Sequence, residues 1–248
     1  CVKESFAKSC INVAEGYIHK WRHSYDVIDK IITPSAFYKK KFEEFGIPGK
    51  RVVHIPNFLD TEKPEINKTN DCEEYYLYFG RLSEEKGVLT LLRAFQGIDA
   101  KLYIVGTGPI KSDIEEYISA ESITNIKVLG FMSGQPLKDI VGNAKAVILP
   151  SEWYENGPYS AIEALQMGRP IIGANIAGIP ELVDGNGYLF KSGSPEDLKE
   201  QIEKMEGLTE AEYQKLKSNS YKLFLNSYTK ENHYKKLEKI YLSVLNNH

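Results

Sequence analysis

Residues 151–164 read SEWYENGPYSAIEA and place two carboxylates, Glu155 and Glu163, eight positions apart. The apolar run 146–149 just before this stretch predicts a short buried strand, and residues 159–167 predict a helix. Glu155 then lies just ahead of the helix and Glu163 lies inside it. At ~1.5 Å of rise per helical residue, the two carboxylates are on the order of 10 Å apart.

The turn between this strand and this helix is the tripeptide Asn156, Gly157 and Pro158. Proline fits the first helical position, which needs no backbone donor. The free N–H groups of that first turn form an anion site. The expected separation of Glu155 and Glu163 is about the span from the sugar to the ribose of a nucleotide-sugar. The diphosphate would then lie between the two carboxylates, at the anion site.

A second segment supplies cations. Residues 75–79 (YYLYF) predict a strand, and residues 80–87 (GRLSEEKG) follow it as a loop before the predicted helix 88–95. Arg81 offers a planar fork for phosphate oxygens, and Lys86 offers a movable point charge. On their own, two cations on a loop are usually only solvated. This segment therefore indicates a binding site only in combination with residues 151–164.

Strand and helix patterns alternate from residue 75 onward, which predicts an α/β fold with a parallel sheet covered on both faces. Ligands of such sheets bind at the carboxyl ends of the strands. Arg81, Gly106, Phe131 and Glu155 each follow a predicted strand end and are expected at one edge. The predicted strands are 75–80, 101–105, 126–130, 146–149, 170–174 and 187–190, and the predicted helices are 88–95, 110–120, 136–142, 159–167 and 195–206.

The chain also has a predicted amino-terminal part and a helical tail. A helix is predicted over 6–24 with an apolar face, a strand over 27–33, a helix that is capped by Pro34 and Ser35 and runs to about Phe45, and a strand over 51–55. The tail, 209–246, is predicted to be helical and is rich in Lys and Tyr.

Composition excludes several classes of protein. A net charge of −3 argues against a general nucleic-acid binder, whose affinity rests on phosphate neutralisation. Three scattered cysteines and five histidines without ligand spacing predict neither a disulfide framework nor a metal site. The glycine motif at 105–109 (VGTGP) lacks the third glycine of a dinucleotide fingerprint. The acid/base pair of a glycosidase would require Glu155 and Glu163 to converge on one bond.

The segments GRLSEEKG, VGTGP and ENGPYSAIEA, in this order, resemble the donor-binding half of retaining GT-B glycosyltransferases of the "family four" group. The resemblance runs from about Tyr25 to the carboxyl terminus. It implies a Rossmann-like sheet domain with helices on both faces, together with the remnant of a second Rossmann-like domain.

The resemblance also implies roles for individual residues. Arg81 and Lys86 would bind the donor diphosphate, Glu155 the sugar hydroxyls and Glu163 the ribose hydroxyls. Arg81, Lys86 and Glu155 would act in catalysis. The other residues implied to line the donor pocket are Gly80, Gly106, Phe131, Met132, Asn156, Gly157, Pro158 and Tyr159.

The family pattern divides the chain into four parts. Residues 1–57 would be the end of an acceptor-binding domain, 58–74 a linker, 75–228 the donor domain, and 229–248 a helix that returns to the acceptor domain. Because the chain starts at Cys1 with a helix of mid-domain character, we interpret it as a piece of a longer protein. Such a piece is expected to bind donor but to transfer sugar poorly or not at all.

The implied reaction moves a sugar from a nucleotide-diphosphate donor to a saccharide or lipid-linked acceptor, with retention, without a cofactor and without a metal ion. The resemblance points to bacterial surface polysaccharide synthesis in the cytoplasm, with peripheral contact at the inner face of the membrane left open. Two other classes also stay open: a GT-B sugar-nucleotide epimerase, and a non-catalytic module that binds nucleotide-sugars. The base, the sugar and the acceptor are not determined by the sequence.

Overall fold

The computed structural model describes residues 5–67 and 74–246. Six of the strands form one parallel sheet, and the first two form a separate parallel pair. In chain order the strands are β1 (Ile31–Thr33), β2 (Val52–His54), β3 (Tyr75–Phe79), β4 (Lys101–Val105), β5 (Ile126–Gly130), β6 (Ala146–Leu149), β7 (Ile171–Ala174) and β8 (Gly187–Phe190).

Helices connect these strands, and 3-10 turns lie at Gly49–Arg51, Glu84–Lys86 and Ile179–Leu182. The helices are α1 (Phe6–Trp21), α2 (Ala36–Glu44), α3 (Val88–Phe95), α4 (Lys111–Ala120), α5 (Gly134–Asn143), α6 (Tyr159–Gln166), α7 (Pro195–Glu206), α8 (Glu210–Ser227) and α9 (Lys230–Leu245).

The order of the strands in the main sheet is β5-β4-β3-β6-β7-β8. From β3 the chain moves outward in one direction through β4 and β5, and from β6 it moves outward in the other direction. The strand order therefore reverses between the neighbouring strands β3 and β6. In open parallel sheets, the crevice beyond the carboxyl ends of the strands at such a point is where ligands bind.

The central strands are buried on both faces, as a parallel sheet between two helix layers requires. Every residue of β3 and of β6 is buried. Helix α3 packs against α7, and α6 packs against α8. The core continues into α6, whose residues Ala161, Ile162, Ala164 and Leu165 are buried, so the helix that carries Glu163 is held firmly on the sheet.

The predicted elements of the main sheet are confirmed to within two residues at their ends. In the amino-terminal part, the first helix and the first strand were predicted too long, while the second helix and second strand agree to within one residue. Helix α1 ends at Trp21, and β1 begins only at Ile31. The intervening segment turns, with His23 at a φ of +53°, and the guanidinium of Arg51 donates hydrogen bonds to the carbonyl oxygens of Tyr25 and Ile28. These carbonyls are therefore not free to extend β1.

The predicted apolar face of α1 is exposed. Ile11, Ile18 and Trp21 have 68%, 52% and 82% of their surfaces accessible, and none of the helix is buried. No element within residues 5–67 and 74–246 covers this face. The periodicity correctly predicted a helix, but burial of its apolar face did not follow.

Residues 5–57 form a small lobe that is attached to the main sheet domain. The carboxylate of Glu181 accepts hydrogen bonds from the N–H groups of Ala36 (2.9 Å) and Phe37 (2.8 Å), at the start of α2. Leu59, just beyond the lobe, forms an isolated parallel bridge with Thr229 ahead of α9. The lobe is thereby joined both to the sheet domain and to the last helix.

None of the helices within the described residues combines the length and the apolar character that a membrane span requires. Of the three cysteines, Cys10 is exposed and free, while Cys1 and Cys72 lie outside the described residues.

Candidate functional site

The loops that follow β3, β4 and β5 are joined at the carboxyl edge of the sheet. Gly80 N–H donates to the carbonyl of Val105 at 3.0 Å, and Gly106 N–H donates to the carbonyl of Gly130 at 2.8 Å. A Cβ on Gly106 would lie 1.9 Å from the carbonyl oxygen of Gly80. The close approach of these loops therefore requires a glycine at position 106.

Lys86 and Glu155 meet across the reversal of strand order. Lys86 ends the 3-10 turn that follows β3, and Glu155 lies in the loop that follows β6. The Lys86 Nζ donates to Glu155 Oε1 at 2.6 Å. The hydroxyl of Ser151 donates to the same oxygen. Among the described residues, no group donates to Glu155 Oε2, so this oxygen is available to a ligand.

Arg81 is held by its backbone, and its side chain is exposed. Its carbonyl accepts a hydrogen bond from the Tyr78 hydroxyl at 2.7 Å. Burial raises the pKa of Tyr78, so the hydroxyl remains a donor. Within the described part of the chain, the Arg81 guanidinium forms no close ion pair or hydrogen bond. It acts at longer range on Glu85, whose pKa is lowered mainly by the hydrogen bond with Ser83 and also by the charge of Arg81. An exposed cation that is not held in a close ion pair can bind an anion.

Three cavities adjoin one another at this edge. The first, of about 140 Å³, contains Arg81, Lys86 and Glu155, and it shares Gly80 and Arg81 with a second cavity of about 340 Å³. The second shares Leu137 with a third of about 540 Å³ that contains Glu163. The predicted site residues that line them are Gly80, Arg81, Lys86, Glu155 and Pro158 in the first, Gly106, Phe131 and Met132 in the second, and Glu163 in the third.

Three predicted site residues do not line these cavities. Asn156 and Gly157 lie in the turn before α6, and Tyr159 begins the helix with 52% of its surface exposed. A larger cavity of about 690 Å³ lies elsewhere, at the amino ends of β3 and β4. It contains Glu74 and none of the predicted residues, and it is on the edge of the sheet where parallel α/β proteins rarely bind ligands.

Glu163 faces its cavity without a partner. Among the described residues, no group donates a hydrogen bond to its carboxylate. Burial raises the pKa of Glu163. A partly buried carboxylate without a donor is costly for the folded protein. It is also a ready acceptor for hydroxyl groups of a ligand.

Helix α6 begins at Tyr159, as the predicted range 159–167 has it, but Pro158 is not its first residue. Pro158, expected at the first helical position, is the residue before the helix, with a ψ of 129° that is extended rather than helical. Its carbonyl accepts from Ala161 N–H at 3.2 Å. The N–H groups of Tyr159 and Ser160 have no acceptor among the described residues, so the start of α6 keeps two free donors of the kind that the predicted anion site requires.

The sequence interpretation missed three contributors to this region. The Ser151 hydroxyl donates to Glu155, and its position two residues after an apolar strand was a usable signal. Gln166 donates from Nε2 to the carbonyls of Asp60 (2.7 Å) and Glu62 (2.8 Å). The segment 59–65, predicted to be part of a linker, thereby lines the Glu163 cavity. Its polar composition gave no indication of this role.

No group of three or more His, Cys, Asp or Glu side chains within the described residues is arranged to hold a metal ion.

The model of the family "Glycosyl transferases group 1" matches residues 60–223. A lipopolysaccharide 1,2-N-acetylglucosaminetransferase of Salmonella typhimurium is 31% identical over 183 residues, which cover 64% of this chain and 48% of the relative. An uncharacterized glycosyltransferase of Methanocaldococcus jannaschii is 28% identical over 176 residues, or 70% of this chain and 48% of the relative. The chain thus spans about half the length of the curated relatives it matches.

Solved structures show the same fold. A glycosyltransferase from Rickettsia africae superposes with a TM-score of 0.79 at 19% identity, over 92% of this chain and 68% of that one. Anabaena HepE in complex with UDP superposes with a TM-score of 0.77 at 20% identity, over 87% and 64%. The main sheet and the small parallel pair are those of GT-B glycosyltransferases, and the chain belongs to the glycosyl transferases group 1 family.

Proposed function

We propose that this chain holds the nucleotide-sugar donor site of a retaining glycosyltransferase. The observation that carries the proposal is the succession of three cavities along one sheet edge. A cavity with two cations and a carboxylate adjoins one with apolar walls, which adjoins one with an unpartnered carboxylate. A nucleotide-sugar presents groups of matching chemistry: hydroxyls and phosphates, a flat base, and a ribose diol.

The diphosphate binds between Arg81, Lys86 and the start of α6. Arg81 forms no close ion pair in the described structure, and the N–H groups of Tyr159 and Ser160 have no acceptor there. A cationic fork, an ammonium and two aligned N–H groups favour a dianionic ligand. When the bond between the sugar and the phosphate breaks, negative charge develops on the departing diphosphate. Preorganised donors that stabilise such charge are a major source of catalysis.

The sugar lies beside Glu155. Its Oε1 is already bound by Lys86 and Ser151, which fixes the carboxylate, and Oε2 remains free to accept from sugar hydroxyls. In this reaction the acceptor hydroxyl attacks from the face that the diphosphate leaves, so the configuration is retained. The role of Glu155 is to orient the sugar.

The nucleoside occupies the second and third cavities. Phe131, Met132 and Gly106 surround the base, and Glu163 accepts hydrogen bonds from the ribose hydroxyls. The structures of Anabaena HepE include complexes with UDP and with UDP-glucose. UDP is accordingly the first nucleotide to test on this chain.

Contacts at the small lobe support the proposed division into domains. In this proposal residues 1–57 are the end of an acceptor-binding domain, 58–74 a linker, 75–228 the donor domain, and 229–248 a returning helix. His233 of α9 contacts the carbonyl of Pro56 at 2.8 Å, and its ring lies 4.4 Å from that of Phe58. The last helix therefore packs against the end of the lobe rather than on the sheet.

The acceptor is a saccharide or a lipid-linked saccharide. Two of the relatives are named for lipopolysaccharide and amylovoran biosynthesis, which supports a role in making a surface polysaccharide. The chain itself, without the rest of such a protein, binds donor and transfers sugar slowly or not at all.

Product analysis separates transfer from epimerisation. The full-length protein is incubated with UDP- and GDP-sugars, with and without a cell-derived acceptor fraction, and the products are followed by proton NMR. Transfer predicts acceptor-dependent release of nucleoside diphosphate and a new glycoside with the anomeric configuration of the donor. Conversion of donor alone into a second nucleotide-sugar would establish an epimerase, and binding without any conversion would establish a non-catalytic module.

A further inference from the structure

The loop between β6 and α6 is anchored at its start, where Glu152 N–H donates to the carbonyl of Glu85 at 2.9 Å, but its middle, residues 153–157, has few backbone hydrogen bonds. It carries Glu155 and ends at the free N–H groups that begin α6. Within residues 153–157, a single backbone group forms a hydrogen bond with the described part of the chain. The side-chain amide of Asn57 donates to the carbonyl oxygen of Gly157 at 2.8 Å. This bond joins residues that are one hundred positions apart, and it crosses from the small lobe to the sheet domain.

Asn57 is itself held in place from both sides. Before it, Ile55 N–H donates to the carbonyl of Thr33 at 3.0 Å, and His233 contacts the carbonyl of Pro56. After it, Leu59 N–H donates to the carbonyl of Tyr228 at 3.0 Å. The amide is therefore presented by a fixed segment and can orient what it binds. A side chain can orient a binding site only if its own position is fixed by neighbouring contacts.

Gly157 is the point at which this orientation matters. Its φ of +70° is left-handed, which glycine adopts without steric cost. A Cβ there would lie 3.2 Å from Asn57 Nδ2 and 3.4 Å from the carbonyl oxygen of Pro34. Because glycine is conformationally free, the sequence of the turn does not by itself determine its backbone conformation. The hydrogen bond from Asn57 selects one orientation of the Gly157–Pro158 peptide. That orientation sets the direction of the N–H groups of Tyr159 and Ser160.

We propose that Asn57 is a positioning residue for the diphosphate end of the donor site. It fixes the Gly157 carbonyl, and through it the start of α6, so that the free N–H groups are aligned before the ligand arrives. This inference rests on the proposed donor site. It adds that the small lobe contributes to donor affinity although Asn57 does not touch the donor.

The chain offers a matched control. Asn219 Nδ2 donates to the carbonyl of Gly185 at 2.6 Å, and Gly185 also has a left-handed φ, of +65°. That turn precedes β8, at the opposite edge of the sheet from the donor site. Asn219→Ala thus removes the same kind of bond from the same kind of turn without affecting the start of α6.

The test compares wild type, Asn57→Ala, Asn57→Asp and Asn219→Ala. UDP, GDP and ADP are titrated by calorimetry, and the corresponding nucleosides are titrated by NMR. Loss of one aligned hydrogen bond predicts that Asn57→Ala weakens binding of the preferred diphosphate about five- to tenfold. The nucleoside, which lacks phosphates, keeps its affinity. Asn57→Asp, which replaces the amide donor with a carboxylate, weakens binding of the diphosphate at least as much. Asn219→Ala changes neither the diphosphate affinity nor the nucleoside affinity.

A second readout measures the turn directly. Backbone 15N order parameters of residues 154–160 are expected to fall in Asn57→Ala and to stay unchanged in Asn219→Ala. Unchanged diphosphate affinity in Asn57→Ala would overturn the inference, as would an equal loss for diphosphate and nucleoside, which indicates general damage. If wild type bound none of the nucleotides, either as this chain or as the full-length protein, the donor site itself would be wrong and the inference would fail with it.

Discussion

The Nζ of Lys86 and the Oε1 of Glu155 lie 2.6 Å apart and join the loop after β3 to the loop after β6. Their side chains are 29% and 15% exposed, so the pair is partly shielded from water. In the absence of ligand, Lys86 neutralises Glu155 and holds the two loops together. A diphosphate that binds Lys86 must share it with this carboxylate.

Removal of Lys86 should therefore affect stability as well as binding. Lys86→Ala leaves the Glu155 carboxylate with only the Ser151 hydroxyl, and a poorly exposed charge without its partner is costly. A double-mutant cycle with Glu155→Gln, measured by urea unfolding, should give a coupling energy of about 1–2 kcal/mol, between the values for exposed and buried pairs. A coupling near zero would show that the pair does not hold the loops together.

Arg81 should matter for binding alone. Its guanidinium is exposed and forms no close ion pair or hydrogen bond in the described structure, so Arg81→Ala should leave the unfolding free energy within about 0.5 kcal/mol of wild type. A charge-assisted hydrogen bond to phosphate is worth about 1.5–3 kcal/mol, which predicts at least a tenfold loss of nucleoside diphosphate affinity. Arg93→Ala, an exposed arginine on α3, is the control for net charge. Equal effects of the two substitutions would argue against a specific role for Arg81.

Glu163 should make binding depend on pH. Burial raises its pKa, and only the ionised carboxylate accepts hydrogen bonds at both oxygens. Diphosphate affinity of wild type should fall as the pH drops through this raised pKa. Glu163→Gln should bind more weakly at pH 8 and should lack this part of the pH dependence. The phosphate of the ligand titrates equally in both proteins, so the difference between the two calorimetric profiles isolates Glu163.

The same substitution should have the opposite effect on stability. Because the pKa is higher in the folded state than in the unfolded chain, folding is favoured below the usual glutamate pKa. That advantage is lost as the pH rises through the raised value. Above it, the wild-type protein carries an uncompensated charge that Glu163→Gln lacks. Thermal melts should show Glu163→Gln as the more stable protein at pH 8, with the difference disappearing at acidic pH. A less stable variant at pH 8 would show that the carboxylate has a stabilising partner.

Gly87 should be intolerant of a side chain. It has a φ of +66°, and a Cβ would lie 1.9 Å from the carbonyl oxygen of Pro150, in the loop that leads to Glu155. Gly87→Ala should cost more than about 3 kcal/mol of unfolding free energy and should separate Lys86 from Glu155. Gly97, with a φ of +77° and open space around it, is the matched control. Gly97→Ala should cost only about 1–2 kcal/mol, the cost of the left-handed backbone alone.

Local patterns were sufficient to predict the main sheet. The apolar runs of β3 and β6 and the turn at Gly157 and Pro158 each determine a local structure, and parallel sheets bring the ends of their strands to one edge. This is why Arg81 and Glu155 could be placed together from the sequence, whereas Lys86 was assigned to the same site by the family resemblance. The prediction that Glu163 lies within a helix is confirmed for the same reason.

The remainder depended on contacts between distant parts of the chain. The bond from Asn57 to Gly157 has no local signature, because an Asn after a Pro reads as an ordinary turn. The lining of the Glu163 cavity by 59–65 depends on Gln166, whose helical position indicates burial but not its partners. The exposed face of α1 shows the same limit of local patterns. Its apolar periodicity predicts a helix, but it does not predict which element covers the apolar face.

The most direct test of the donor site is calorimetric titration of this chain with UDP, GDP and ADP, using Arg81→Ala and Glu163→Ala as controls. Saturable binding of one nucleoside diphosphate is predicted, weakened at least tenfold by Arg81→Ala and also weakened by Glu163→Ala. Binding that neither substitution weakens, or no binding of any of the three to either this chain or the full-length protein, would contradict the account.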